Sequence, residues 1–414
     1  MVSETRKLGV STTDFLSKLS LLRKPLIIVM SLNQTGLGIV RNFSIMEYEI
    51  VGFTKKVNFA CSSNSLSAYI ETSAETEPER LLQIMVEIGK RLVEQGFVIP
   101  TSEIEIRFLS ANRDILSRYY QLSLTREEVL SKNLDKYAFY QELRKHSFNS
   151  PNTLLLESFD SIDLLEKEIR YPCIIKPIFS GDWKTDNSYK VIGGQKAIVI
   201  RDREGLKKNY GLVSILNPKV LLQEIIENEN DGNYSFCCYA DQSGKVLWGF
   251  VTQKMLQYPS GFGTALMCQI AEEPEIHELG KRVIEALVID GISEVEIVRD
   301  KNTGMLHIIE INMRHWLQHT LSLSLGVNLS LLDYYFRNNN LAKVEETLSS
   351  KRVCQKRGIW IDEMGYVTHC IKHGFRFEKC HFKLLVGKSW QYSTWSIKDW
   401  RPFYYRLKTA IFTG

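Results

Sequence analysis

Covalent cross-links are not what this sequence relies on. Its eight cysteines, Cys61, Cys173, Cys237, Cys238, Cys268, Cys354, Cys370 and Cys380, are scattered over 414 residues without a C-x-x-C pair. That excludes a disulfide scaffold, reads each cysteine as a small apolar residue, and suits a reducing compartment. Long apolar runs are also missing. Pro25 to Met30 is short, follows Arg23 and Lys24, and reads as a buried strand rather than a membrane span. Residues 1–23 show no signal-peptide cleavage pattern, and Phe15, Leu16, Leu19 and Leu22 have the spacing of a helix packed on the body. A cytoplasmic protein is the expectation. Charge of one sign is lacking too: 52 Lys and Arg face 48 Asp and Glu, a formal +4, which argues against wholesale nucleic-acid binding. Repeats and low-complexity tracts are absent.

What is present is an ordinary globular composition, 44% apolar and 24% charged, in a chain too long for one core. Residues 1–24 read as an N-terminal extension. Residues 25–130 alternate strand and helix, with a glycine loop at Asn33 to Gly38, a helix from Ile39 to Ile45, and another from Glu79 to Gln95. A small open α/β domain follows from that pattern. The loop lacks the third glycine of a dinucleotide fingerprint, so an NAD site is disfavoured. Residues 131–338 carry strands around Ile174, Ala197, Val220, Tyr234 and Val246 with few helices, an α+β pattern. Residues 339–414 are rich in Trp, Tyr and Phe and read as a subdomain packed by its aromatics.

The stretch Ser293 to Arg314 reads as a β-hairpin turning at Asp300 to Gly304. Period-two alternation puts Glu294 and Glu296 on one strand face and Glu310 and Asn312 on the other strand's matching face. Glu296, Glu310 and Asn312 would offer hard oxygens to Mg2+. By spacing alone, a solvated sheet face with Val295, Ile297, Ile309 and Ile311 inside explains the pattern equally well. Two features favour the metal. Lys176 ends an apolar strand before Pro177, a poor place for a solvated charge and a good one for phosphate. Val220 to Ile226 is an apolar strand entering a polar link, where free backbone groups can read an adenine edge. His315 and His319 have zinc-helix spacing, but Trp316 replaces the glutamate general base, which leaves a pocket-lining pair or a packed helix start ending before Gly326.

Together Lys176 in YPCIIKP, the LLQEIIENENDG segment and the EVEIVRD and HIIEINMR strands resemble the ATP-grasp superfamily in order and spacing, over about residues 25–338. The EINMRHW run and the aromatic tail are similar to its D-aspartate ligase-like carboxylate–amine ligases. The resemblance implies an ATP-grasp fold behind a small α/β domain. It implies that Lys136 and Lys176 hold ATP phosphates. Gln223, Glu224, Ile225 and Ile226 would form the adenine hinge, and Asp231 would reach the ribose. Glu296, Glu310 and Asn312 would ligate Mg2+, Arg314 would face the γ-phosphate and acyl group, and His315 and Trp316 would line the substrate pocket. The implied partners are a small carboxylate and an amine; a homodimer is a common state of the relatives. A non-catalytic ATP-binding regulator is the rival reading. Met313 departs from the relatives' proline, and the loop from Phe179 to Gln195 lacks their tight glycine run.

Overall fold

A computed structural model describes residues 25–46, 48–184, 186–228, 232–259, 263–349, 358–373 and 389–412. The N-terminal extension and Asp231 lie outside the described residues, as do Phe375, Phe377 and Phe382 of the tail.

The first unit is a five-stranded parallel sheet of β1 (Ile27–Val29), β2 (Ile50–Thr54), β3 (Ala68–Glu71), β4 (Gly96–Ile99) and β5 (Tyr120–Leu122). Its order, β3-β2-β1-β4-β5, reverses direction between β1 and β4. In open α/β sheets that reversal leaves a crevice beyond the strand ends. The glycine loop differs from the sequence expectation, because the helix runs Gln34–Ser44 and takes the loop into its first turn. Asn33 makes the difference by accepting the Gly36 amide at 2.8 Å as N-cap. The second helix, Pro78–Gly89, is shorter than the apolar spacing to Gln95 suggests. Tyr119 packs directly on Gly89, where a Cβ would lie 2.5 Å from the Tyr119 Cβ. Val93, beyond that point, is exposed.

Next comes a four-stranded antiparallel sheet of β6 (Thr153–Leu156), β7 (Cys173–Pro177), β8 (Ile198–Ile200) and β9 (Val220–Glu224), in the order β6-β9-β7-β8. A larger sheet follows: β10 (Asn233–Ala240), β11 (Val246–Tyr258), β12 (Thr264–Ala271), β13 (Gly291–Arg299), β14 (Leu306–Asn312), β15 (Gly358–Ile361) and β16 (Ser389–Tyr392). Its order is β14-β13-β10-β11-β12-β15-β16. The aromatic-rich tail is therefore not merely appended. Ile359, Trp360 and Ile361 pair with β12, and β16 runs parallel beside β15 as the sheet's edge. Trp360 is fully buried, so the aromatic content of the tail is partly core demand.

The first unit and the large sheet meet through buried polar groups. Asp333, itself fully buried, accepts hydrogen bonds from Ser123 Oγ after β5, from Tyr239 OH on β10 at 3.2 Å and from Arg337 Nε at 2.7 Å. Thr125 Oγ1 donates to the Asp290 carbonyl at 2.8 Å. Among the described residues, no helix is long and apolar enough to cross a membrane.

Candidate active site

Alternating strand geometry brings β13 and β14 into an antiparallel pair with Glu296 opposite Glu310 and Glu294 opposite Asn312. The register slips by one residue after Glu296, leaving Ile309 without a cross-strand partner. Such a slip re-aims the side chains beside it. It is secured from outside the hairpin, because Tyr140 OH donates to the Ile309 carbonyl. Asn312 Nδ2 donates to Glu294 Oε2 at 3.1 Å and reaches Glu296 Oε1 at 3.5 Å. Gln318 Nε2 holds the other Glu294 oxygen at 3.2 Å. Burial first, and the Glu296 charge second, push the Glu294 carboxyl up to about 7.

Cations from three other elements close on this face. Lys136, the first residue of the helix Lys136–Lys145, has its Nζ 3.3 Å from Glu310 Oε1, 3.8 Å from Glu103 Oε2 and 2.6 Å from Ser180 Oγ. Burial works against its charge, but Glu310 and Glu103 outweigh it and raise its pKa. Lys176 on β7 is buried and donates to Tyr140 OH at 2.9 Å. Its pKa falls to about 7, chiefly through burial, with Lys136 adding repulsion and Glu310 opposing it. Burial raises Glu310 as well, yet Lys136 and Lys176 together hold that carboxyl at about 2. Lys254 on β11 stands 3.8 Å from Glu296 Oε2. Arg314 donates from Nη2 to Asn312 Oδ1 at 2.9 Å and from Nη1 to the His315 carbonyl at 2.9 Å. A narrow cleft of about 30 Å³ runs between Glu103, Lys136, Glu310, Asn312 and Arg314.

The expected residues Lys136, Lys176, Glu296, Glu310, Asn312 and Arg314 thus converge from four separate segments. Gln223 is buried at the end of β9, with Nε2 donating to Thr153 Oγ1 at 2.6 Å. Glu224 closes the strand, its amide bonded to the Asn152 carbonyl at 2.9 Å. Ile225 and Ile226 continue as half-buried chain with no regular structure. Asp231 falls outside the described residues. His315 and Trp316, expected to line the substrate pocket, are both about 1% exposed and pack within the core. His315 Nε2 pairs with Ser330 Oγ at 2.9 Å, and Trp316 packs towards Phe250. The segment that follows is a tight 3-10 helix, His319–Leu325, stopped by Gly326 at φ 83°. His319 Nδ1 is bonded to the Trp316 carbonyl at 2.9 Å. Among the described residues, no three His, Cys, Asp or Glu side chains already close on one metal point.

Five groups escaped the sequence reading. Glu294 had a signal, the same alternation as Glu296. Tyr140, Glu103, Ser180 and Lys254 had none, because each enters from another element.

Two carboxylates and an amide oxygen are donors that suit a hard divalent cation, which fills the rest of its shell from water and phosphate oxygens. Glu294, raised in part by the Glu296 charge beside it, marks a carboxylate pair at which added positive charge is favoured. The donor set fits Mg2+.

Residues 134–316 match the ATP-grasp domain family. Among curated proteins, none matches the sequence. The structure is similar to N5-carboxyaminoimidazole ribonucleotide synthetase, solved as an ADP complex, with a TM-score of 0.58 at 16% identity over 75% of this chain and 76% of that one. It is similar to the biotin carboxylase domain of Hydrogenobacter thermophilus 2-oxoglutarate carboxylase, a dimer solved with MgADP and bicarbonate. There the TM-score is 0.59 at 18% identity, covering 76% and 69% of the two chains. L-amino acid ligase from Bacillus licheniformis matches with a TM-score of 0.58 at 15% identity, covering 79% and 75%. At these identities the likeness establishes the fold, which is ATP-grasp behind an N-terminal α/β domain.

Proposed function

We propose, from the ATP-grasp fold and the charges gathered on its β13–β14 face, that this chain is an ATP-dependent ligase. It joins a carboxylate to an amine through an acyl phosphate and releases ADP and phosphate. The observation that carries the reading is the convergence of Glu296, Glu310 and Asn312 with Lys136, Lys176 and Arg314, which no core-packing role requires. A merely solvated sheet face would not hold Lys176 buried at a pKa near 7.

Each residue then has a task. Gln223 to Ile226 offer backbone and side-chain groups to the adenine edge where β9 ends. Lys136 and Lys176 bind phosphate oxygens, and both are pre-placed by Glu310, Ser180 and Tyr140. Burial makes Lys176 costly to charge alone, so an arriving phosphate would restore its proton and gain from it. Glu296, Glu310 and Asn312 would hold Mg2+, which when bound neutralises charge on the transferring phosphoryl group. Arg314 presents a planar fork to the γ-phosphate and the carboxylate being activated, and it would steady the tetrahedral centre formed when the amine attacks. Donors that are already oriented in a desolvated cleft act more strongly than they would in water. The reading includes a D-aspartate ligase-like grouping, supported by the EINMRHW run, and an amino acid on at least one side, as in the L-amino acid ligase neighbour.

The test is a screen of acid and amine pairs for ADP release with ATP and Mg2+. Amine-dependent ADP release is expected for a cognate pair, and Glu310→Gln should abolish it at a stability cost of roughly 1 kcal/mol, the scale of one part-exposed ion pair. A non-catalytic ATP binder would show a thermal shift with ATP and no ADP release for any pair.

A further inference from the structure

Away from the charged face, the tail borders a second and larger space. A cavity of about 360 Å³ lies where the helix Gln34–Ser44, the 3-10 helix His319–Leu325 and the strand-and-loop segment 390–397 meet. We propose that this cavity is the side-chain pocket for an amino-acid-sized ligand carrying a neutral, hydrogen-bonding aromatic ring, a phenol or an indole.

Volume sets the scale, since small-molecule sites begin at roughly 300 Å³. The walls set the chemistry. Leu317, Leu323, Trp360, Trp390 and Trp395 supply apolar and aromatic surface, and the Trp390 and Tyr392 rings lie 19° from parallel. Flat rings stack on such surfaces at little conformational cost. Charge on the wall is already spent. Arg41 bonds Asp399 Oδ2 at 2.9 Å, the Thr394 carbonyl at 2.8 Å and the Asp399 carbonyl at 2.7 Å, so the ligand portion here is neutral. Thr320 Oγ1, on the cavity's lining segment, is buried without a partner among the described residues. A buried hydroxyl without a partner is unfavourable, and a ring bearing O–H or N–H would satisfy it.

The cavity does not collapse because its lining segment is pinned on both sides. The Glu363 carboxylate accepts from the amides of Ser393 at 3.0 Å, Thr394 at 2.9 Å and Trp395 at 2.8 Å. Asp399 accepts from Ser63 Oγ at 2.7 Å and the Asn64 amide at 2.8 Å on the first unit. The site also abuts the chemistry. Arg314 and Gln318 face the carboxylates, whereas Leu317 and Thr320 of the same short segment line the cavity. A ring seated there would lie beside the turn that carries Arg314. The role of this ligand as a substrate rests on the ligase reading; its binding does not.

Binding is therefore measured first, without ATP. Toluene, p-cresol, L-tyrosine and L-alanine are titrated into the full chain while following tryptophan emission, excited where tyrosine does not absorb. Saturable changes are expected with the ring compounds and none with L-alanine. Leu323→Trp, which fills the cavity, should weaken p-cresol on the order of 10-fold. Thr320→Val should narrow the preference for p-cresol over toluene several-fold, the worth of about one hydrogen bond. No saturable change with any ring compound, or unchanged affinities in both variants, would overturn the proposal. ADP release is then assayed with ring-bearing substrates. Ring binding without ADP release for any pair would leave the pocket standing and remove the ligase reading. ADP release from ringless pairs, with no ring binding, would do the reverse.

Discussion

Lys176 and Arg314 show how a single side chain is made ready by what surrounds it. The Lys176 ammonium is buried and donates to the Tyr140 hydroxyl at 2.9 Å, with its Nζ 4.9 Å from the Tyr140 ring centroid. Those contacts fix its direction, while burial disfavours its charge until an anion arrives. Lys176→Ala should therefore leave folding intact and remove most of the ATP-induced rise in melting temperature. A hundredfold loss of affinity would remove up to about 2.7 kcal/mol of ligand stabilisation. Thermal melts with and without MgATP check this, and equal shifts in both proteins would dismiss the phosphate role. Arg314 spends Nη1 on a carbonyl and Nη2 on Asn312, which leaves the fork held flat beside the metal-ligand candidates. Lysine cannot make both bonds in one plane. Arg314→Lys should lower kcat on the order of 100-fold, the scale of losing one electrostatic donor, while ATP affinity moves little. Steady-state kinetics beside direct ATP titration separate the two effects, and a near-normal kcat would return Arg314 to a packing role.

At the scale of elements, pairing explains what single residues cannot. The β13–β14 register slip at Ile309 would be a defect in isolation; tied to Tyr140 it becomes the junction of the hairpin, the helix Lys136–Lys145 and β7. Near the opposite edge, β15 is followed by Asp362, which ties the C-terminal helix Arg401–Phe412 to the sheet. Arg406 Nη1 lies 2.7 Å from Asp362 Oδ1, and the Gly365 amide donates to the same oxygen at 3.2 Å. Burial pushes the Asp362 carboxyl up, but Arg406 outweighs burial and leaves it below the ordinary value. A carboxyl lowered in the folded state stabilises fully above its unfolded pKa of about 4, and the contribution drains as pH falls through the lower folded value. Asp362→Asn should cost about 1–3 kcal/mol near neutrality, the worth of a charge-assisted bond. Melts of both proteins at falling pH should show the gap close below about pH 4. A gap independent of pH would mean that packing, not the ion pair, sets the difference.

For the whole molecule, the decisive contacts are those between units. Asp333, itself fully buried, joins Ser123 of the first unit, Tyr239 of the large sheet and the part-buried Arg337 of its own helix. Breaking a buried pair by removing one partner leaves the other charge uncompensated. Asp333→Ala is therefore expected to cost roughly 3–5 kcal/mol, far more than any change on the cleft face. Chemical denaturation measures it, and a loss under about 1 kcal/mol would show that the units dock by apolar contact alone. Lys136 makes the same point for function. Its partners Glu103, Ser180 and Glu310 belong to three different parts of the chain, so the cleft exists only when those parts are docked.

The residues of the candidate site that alternate along one hairpin could be read from the chain, because a period of two in a strand is a local property. So could Lys176, since a lone lysine closing an apolar strand is unusual by itself. The sequence also carried β1, β2, β4, β7 to β11 and the β13–β14 pair, whereas β3, β5, β6 and β12 went unread. It misjudged the start of the first helix, which a side-chain cap moved to Gln34, and the end of the second, which Tyr119 packing set at Gly89. It also set the tail apart, whereas strand pairing made β15 and β16 an edge of the main sheet. The resemblance made His315 and Trp316 pocket residues, and both are buried side chains packed within the core. Local pattern fixes which face a side chain takes within its own element. Which other elements meet that face, and which atoms they leave without partners, is decided by long-range docking, and that is where Tyr140, Lys254 and the cavity beside Thr320 came from.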